Sequence, residues 1–147
     1  MATQANNASI HRSIGLGSVL MASLIGGGIA TVGNLILLLL AGVLNIPLTV
    51  YLGSPGPNTP IAPIAAPPVI FFSLLPAIIG GLLYFALTKI SAKAATIFMI
   101  IAVIVALLSL FPIFGQPLGV AGMIVLILMH VVAAIAITWA LVSRARS

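Results

Sequence analysis

Four long apolar runs, parted by short polar or proline-rich breaks, leave this chain few folds to choose from. They extend from about Ser13 to Leu44, Pro67 to Thr88, Ala94 to Phe111 and Leu118 to Val142. Each reaches or nearly reaches the roughly 20 residues that an α-helix needs to cross a bilayer core. The runs are continuously apolar, whereas the strands of a membrane barrel alternate. The sequence therefore predicts an all-α fold, a four-transmembrane-helix bundle that forms one integral membrane domain over residues 1–147.

Composition agrees. The chain is 63% hydrophobic and 3% charged, against roughly 25% charged in a soluble domain. Five cations cannot cover the surface of a soluble protein of 147 residues. There is no Asp, Glu or Cys. That removes carboxylate acid/base pairs, carboxylate proton relays, hard-cation sites and thiol chemistry. We accordingly expect no enzyme, no metal and no bound cofactor.

The five basic residues set the topology. Arg12 precedes helix one, Lys89 and Lys93 lie between helices two and three, and Arg144 and Arg146 follow helix four. With four crossings all five fall on one side, which the positive-inside rule makes cytoplasmic, so both termini are expected there. The same distribution argues against nucleic acid as a partner, because no basic patch is interleaved with aromatic residues. Trp139 reads as an interfacial anchor at the cytoplasmic end, with Phe111 and Phe114 at the other. His11, beside Arg12, reads as a headgroup contact.

The first run is about 32 residues long, or about 48 Å of helix, against a hydrocarbon core of about 30 Å. It must tilt, bend or protrude, and Gly26-Gly27-Gly28 is the expected bend. Its length also argues against a cleaved signal peptide, whose apolar stretch is far shorter. The loop of about Asn45 to Ala66, with the start of helix two, holds seven of the ten prolines. It should be extended or turning, and apolar enough through Val50, Tyr51, Ile61 and Ile64 to lie against the bundle end. Pro67-Pro68 suits the first turn of helix two.

Small residues recur at helical spacing. Helix one carries Ser18, Ala22, Gly26, Ala30 and Asn34; helix two carries Ser73, Ala77 and Gly81 around Pro76; helix three carries Ala95, Ala102, Ala106 and Ser109. Such stripes let helix backbones approach closely. Packing within the bundle is the favoured reading for helix one, with self-association or a lipid or pigment groove as alternatives. Asn34 should face the interior and pair with Ser73, Tyr84, Ser109 or His130.

His130 is the side chain that invites a functional reading, since an ionisable group inside a membrane is a functional candidate. Neutral imidazole ligates haem or chlorophyll metals and shuttles protons. Ala134 and Thr138 leave space along the same face. A relay lacks further titratable groups, and one His supplies too few ligands for a structural metal. Hydrogen bonding to Asn34 or Ser109 is the favoured expectation. Axial ligation at His130 and a solute path lined by Asn34, Ser109, His130 and Thr138 remain open.

Leu108-Ser-Leu-Phe-Pro112, Leu128-Met-His-Val-Val-Ala-Ala134 and Asn34 after a glycine-rich helix together resemble a family of uncharacterised four-helix bacterial membrane proteins. The resemblance implies a bundle in the bacterial cytoplasmic membrane and carries no activity with it. Small multidrug transporters share the four-helix size but couple protons through a membrane glutamate, which this chain lacks. The expected role is a non-catalytic accessory or structural subunit whose partners are lipid and either further copies of the chain or other membrane subunits.

Overall fold

In the computed structural model, which describes residues 14–145, the first helix runs unbroken through the three glycines. This helix, α1 (Leu16–Val43), is followed by a hairpin of β1 (Thr49–Tyr51) and β2 (Ile61–Pro63). Three more helices complete the order: α2 (Ala66–Ile90), α3 (Ala94–Leu110) and α4 (Val120–Arg144). All four are long and apolar enough to cross a membrane, α3 when counted with the 3-10 turn Phe111–Gly115 that extends it. Arg12, His11 and Arg146 lie outside the described residues. Helices two and four each end two residues later than expected, and the expected turn after helix three contains the 3-10 segment. Pro112 sits early in that segment, where its missing N–H costs nothing.

At 28 residues α1 spans about 42 Å, still longer than a hydrocarbon core of about 30 Å. Its hairpin-side end is fixed by a Schellman motif. Asn45 takes φ 54°, the Asn45 N–H donates to the Gly42 carbonyl at 3.1 Å, and the Ile46 N–H donates to Ala41 at 2.8 Å. α2 continues through Pro76 without a break.

The helices are unequal partners. α1 lies between α2 and α4 and packs against both; α3 rests against the edges of α2 and α4 and makes no contact with α1. Side-chain size accounts for this. α1 buries Ala22, Gly26, Gly27 and Ala30, which admit close neighbours, whereas α3 buries only Ala94 and Phe98 and exposes Ile100, Val103, Ile104, Val105, Leu107 and Leu108. In water such exposure would be ruinous. Against lipid it is the ordinary state of a spanning helix.

Buried residues form two clusters. One, which includes Val19, Tyr84, Phe98, Leu141 and Ala145, lies toward the end that carries Lys89, Lys93 and Arg144. The other, built on Ala41, Leu48, Ile113 and Leu118, closes the opposite end beneath the hairpin. We call these the basic end and the hairpin end.

The proline-rich loop is extended as expected, and it is also paired. Its strands are antiparallel, with Thr49 opposite Pro63, Val50 opposite Ala62 and Tyr51 opposite Ile61. The Ile64 N–H donates to the Leu48 carbonyl and the Leu52 N–H to the Pro60 carbonyl, both at 2.8 Å. Alternation then leaves Pro63 in a non-hydrogen-bonded pair, where a missing N–H is harmless. The hairpin is tied down by Thr49 Oγ1, which donates to the Pro117 carbonyl at 2.7 Å. It is tied again by Gln116 Oε1, which accepts from the Tyr51 N–H at 3.0 Å.

Candidate functional site

Two places in the bundle hold the residues that the sequence marks as chemically interesting: the α1 interfaces and the outer surface between α3 and α4. On α1 the glycines are spent on close approach. A Cβ built on Gly26 would lie 2.9 Å from Ala140 Cβ and 3.0 Å from Ile137 Cα, both on α4. One built on Gly27 would lie 3.0 Å from Ala77 Cβ, on α2. A third, on Gly81, would overlap the Ser23 hydroxyl, while Gly28 faces open space. Adjacent glycines thus serve different neighbours, and Gly26 and Gly27 are close-packing positions within a continuous helix. Ala22 and Ala30 are buried in the same core cluster. Ser18 is half-exposed and donates to the Gly15 carbonyl at 2.8 Å.

Asn34 and Ser73 meet across the α1–α2 interface. Both are buried, and Asn34 Nδ2 donates to Ser73 Oγ at 3.1 Å. Asn34 Oδ1 is buried with no hydrogen-bond partner. The other three candidate partners are engaged elsewhere. Tyr84 packs edge-on against Phe98 with centroids 5.2 Å apart. Ser109 Oγ donates to its own helix at Ala106, 2.7 Å away.

His130 does not reach Asn34 or Ser109, contrary to the favoured expectation. Its Nδ1 lies 2.8 Å from the Leu126 carbonyl, one turn back on α4. The reason is the peripheral seat of α3, which leaves His130 half-buried beside a groove. A carbonyl only accepts, so Nδ1 carries the hydrogen in this bond, and Nε2 is the ring nitrogen that it leaves free for another partner.

The groove runs between the two helices beside Ala102 and Ala106 of the small-residue stripe on α3. Near His130 it holds a depression of about 200 Å³ between Val103, Ala106 and Leu107 of α3 and Val131 and Ala134 of α4. Toward the basic end a second depression of about 380 Å³ continues it between Met99 and Ala102 on one wall and Thr138 and Trp139 on the other. Ala106 borders this open surface, whereas Ala95 and Ala102 are half-buried and pack against the core cluster, Ala102 also bordering the groove. Met99 and Val103 were not singled out from sequence, because nothing in an apolar helix marks which face stays uncovered. Gln116 was also missed, although it is a lone amide in an otherwise apolar turn.

The four side chains named for a solute path do not converge. Asn34 is closed between α1 and α2, Ser109 is turned onto its own helix, and His130 and Thr138 border separate parts of the outer groove. No cluster of three or more His, Cys, Asp or Glu exists among the described residues.

At the basic end, Lys89 Nζ lies 4.6 Å from the Phe85 ring centroid and 3.4 Å from the Ile14 carbonyl. The Arg144 guanidinium lies 5.1 Å from the Trp139 ring centroid. Lys93 is the exposed N-cap residue just before α3.

Four apolar spans around a small-residue core, with the described cations gathered at one end, define a multi-pass integral membrane protein. A family model described as a family of unknown function, DUF6069, matches residues 15–147, and the chain belongs to that family. Neither a curated protein nor a solved structure matches it.

Proposed function

We propose that the protein is a non-catalytic structural or accessory subunit of a membrane assembly, set in the bacterial cytoplasmic membrane with both ends on the cytoplasmic side. One observation carries this reading: five hydroxyls of the spans are turned back on their own helices, and the Asn34–Ser73 pair is closed between two of them. Ser23 donates to Val19, Thr31 to Gly27, Thr88 to Phe85, Ser109 to Ala106 and Ser143 to Trp139, each to a carbonyl three or four residues earlier. Hydroxyls so placed are satisfied locally and offer no common lining to a solute or substrate. The orientation rests on Lys89, Lys93 and Arg144 sharing one end. Lipid and further copies of the chain, or other membrane subunits, are the partners that such apolar outer faces suit.

A second reading has a specific observation in its favour. With Nδ1 held by the Leu126 carbonyl, Nε2 is the nitrogen of His130 that a haem or chlorophyll metal would take. One experiment tests both readings: native mass spectrometry after gentle extraction, with an absorption spectrum of the same sample. Additional polypeptides or a multiple of the bare mass supports the first reading. A mass excess with a visible band that disappears in His130→Ala replaces it with the second. A bare monomer without a band overturns both.

A further inference from the structure

Two hydrogen-bond acceptors short of a donor meet at Ser73. The first is Asn34 Oδ1, which is buried without a partner within the chain, on a side chain only 6% exposed. The second is the Phe72 carbonyl. Its regular donor in an α-helix is the N–H four residues on, and that residue is Pro76, which has none. α2 nevertheless continues through this point.

Covalent geometry keeps the two acceptors near each other. Asn34 Nδ2 donates to Ser73 Oγ at 3.1 Å, which sets the amide against Ser73. The Phe72 carbonyl carbon is bonded to the Ser73 nitrogen, so its oxygen stays within about 5 Å of Ser73 Oγ in any rotamer. A water molecule donates two hydrogen bonds of about 2.8 Å each, and so links acceptors up to about 5–6 Å apart.

The nearby hydroxyls of α1 are committed elsewhere, Ser23 to the Val19 carbonyl and Thr31 to the Gly27 carbonyl. A metal cation does not suit the place. Both acceptors are neutral, and the chain has no Asp or Glu to offset a positive ion inside a bilayer. Two neutral acceptors call for a small neutral molecule with two hydrogens to give.

We propose that one water molecule is held between α1 and α2, donating one hydrogen to Asn34 Oδ1 and the other to the Phe72 carbonyl. It stands in for the N–H that Pro76 lacks, one of the ways in which a membrane helix carries proline without breaking. The site lies inside a single copy of the chain, so it is independent of the subunit reading above.

The test is water–amide cross-relaxation in the NMR spectrum of the full chain, labelled with nitrogen-15 and held in detergent micelles. The side-chain amide protons of Asn34 should show a cross-peak to water with the sign of a long-lived, bound molecule. Ser73→Ala should keep that peak, because the water is held by Oδ1 and a backbone carbonyl. Pro76→Ala returns an N–H to the Phe72 carbonyl, leaves the water one acceptor, and should abolish the peak.

Absence of the cross-peak in the unaltered chain overturns the proposal. So does a peak lost with Ser73→Ala, which marks the exchanging hydroxyl of Ser73 as its source. A peak that survives Pro76→Ala removes the bridge to Phe72 and the proposal with it. Alanine favours the helix over proline, and Ser73→Ala only trims a side chain, so both variants retain the fold; matching circular dichroism spectra verify this.

Discussion

Asn34 Nδ2 and Ser73 Oγ stand 3.1 Å apart in the buried contact between α1 and α2, while the other half of the Asn34 amide, Oδ1, has no partner. Interhelical hydrogen bonds in membranes average only about 0.6 kcal/mol, whereas a buried polar atom left unpaired costs about 1–3 kcal/mol. Ser73→Ala should therefore destabilise the protein by about 1–2 kcal/mol, mainly by orphaning the amide nitrogen as well. Adding Asn34→Val should restore most of that loss, because it removes both unpaired atoms. Unfolding in mixed detergent micelles measures the cycle, and a double variant less stable than Ser73→Ala alone contradicts this account.

Neighbouring glycines should respond with opposite signs. Gly26→Ala places a methyl 2.9 Å from Ala140 Cβ and 3.0 Å from the Ile137 backbone, neither of which is a flexible side-chain end. Overpacking of this kind costs about 1–3 kcal/mol. Gly28→Ala meets nothing within 4 Å and should gain up to about 1 kcal/mol from helix propensity. The same micelle titration, run on both variants, checks the pair.

The Schellman turn gives a backbone prediction. Asn45 sits at φ 54°, the left-handed region that glycine and asparagine accept readily. Asn45→Gly should be close to neutral, and Asn45→Val should cost about 1–2 kcal/mol through the clash of a branched Cβ. Equal stability of the two variants, measured by thermal unfolding, contradicts this account.

The hairpin should loosen locally when its amide tether is cut. Gln116 Oε1 accepts from the outward-facing Tyr51 N–H, so Gln116→Leu leaves that N–H to solvent. Hydrogen–deuterium exchange at Tyr51 should quicken about tenfold or more, for a loss of about 1.4 kcal/mol or above in local protection. Exchange in the middle of α1 should be unchanged.

How far the fold was legible in sequence depends on which physical constraint was at work. The four spans were plain because a bilayer demands about 20 apolar residues in succession, and nothing else imposes that length. The Asn34–Ser73 bond was foreseeable as one of four candidates, since a mid-membrane amide must find a partner. His130 was read less well. Hydropathy does not rank the faces of a helix that is apolar all round, so the retreat of α3 from α1, and with it the groove beside His130, left no periodic mark. Ala106 shows the same limit: a small residue permits close approach without requiring it. In the loop, proline density indicated extension but hid the pairing, because Pro63 occupies the one kind of strand position where proline is silent.

The place of α1 between α2 and α4 has a consequence for the order in which the chain is assembled. α1 and α2 are made first and can meet at once through Gly27, Ser23 and Gly81. The groove over Gly26 and Gly33, however, is filled by residues 132 to 140, which leave the ribosome only after all of α3. Until then the most closely fitted face of the first helix lies against lipid. The last span to enter the membrane is the one that locks the first, and the third is carried to the margin as the tether that lets them meet.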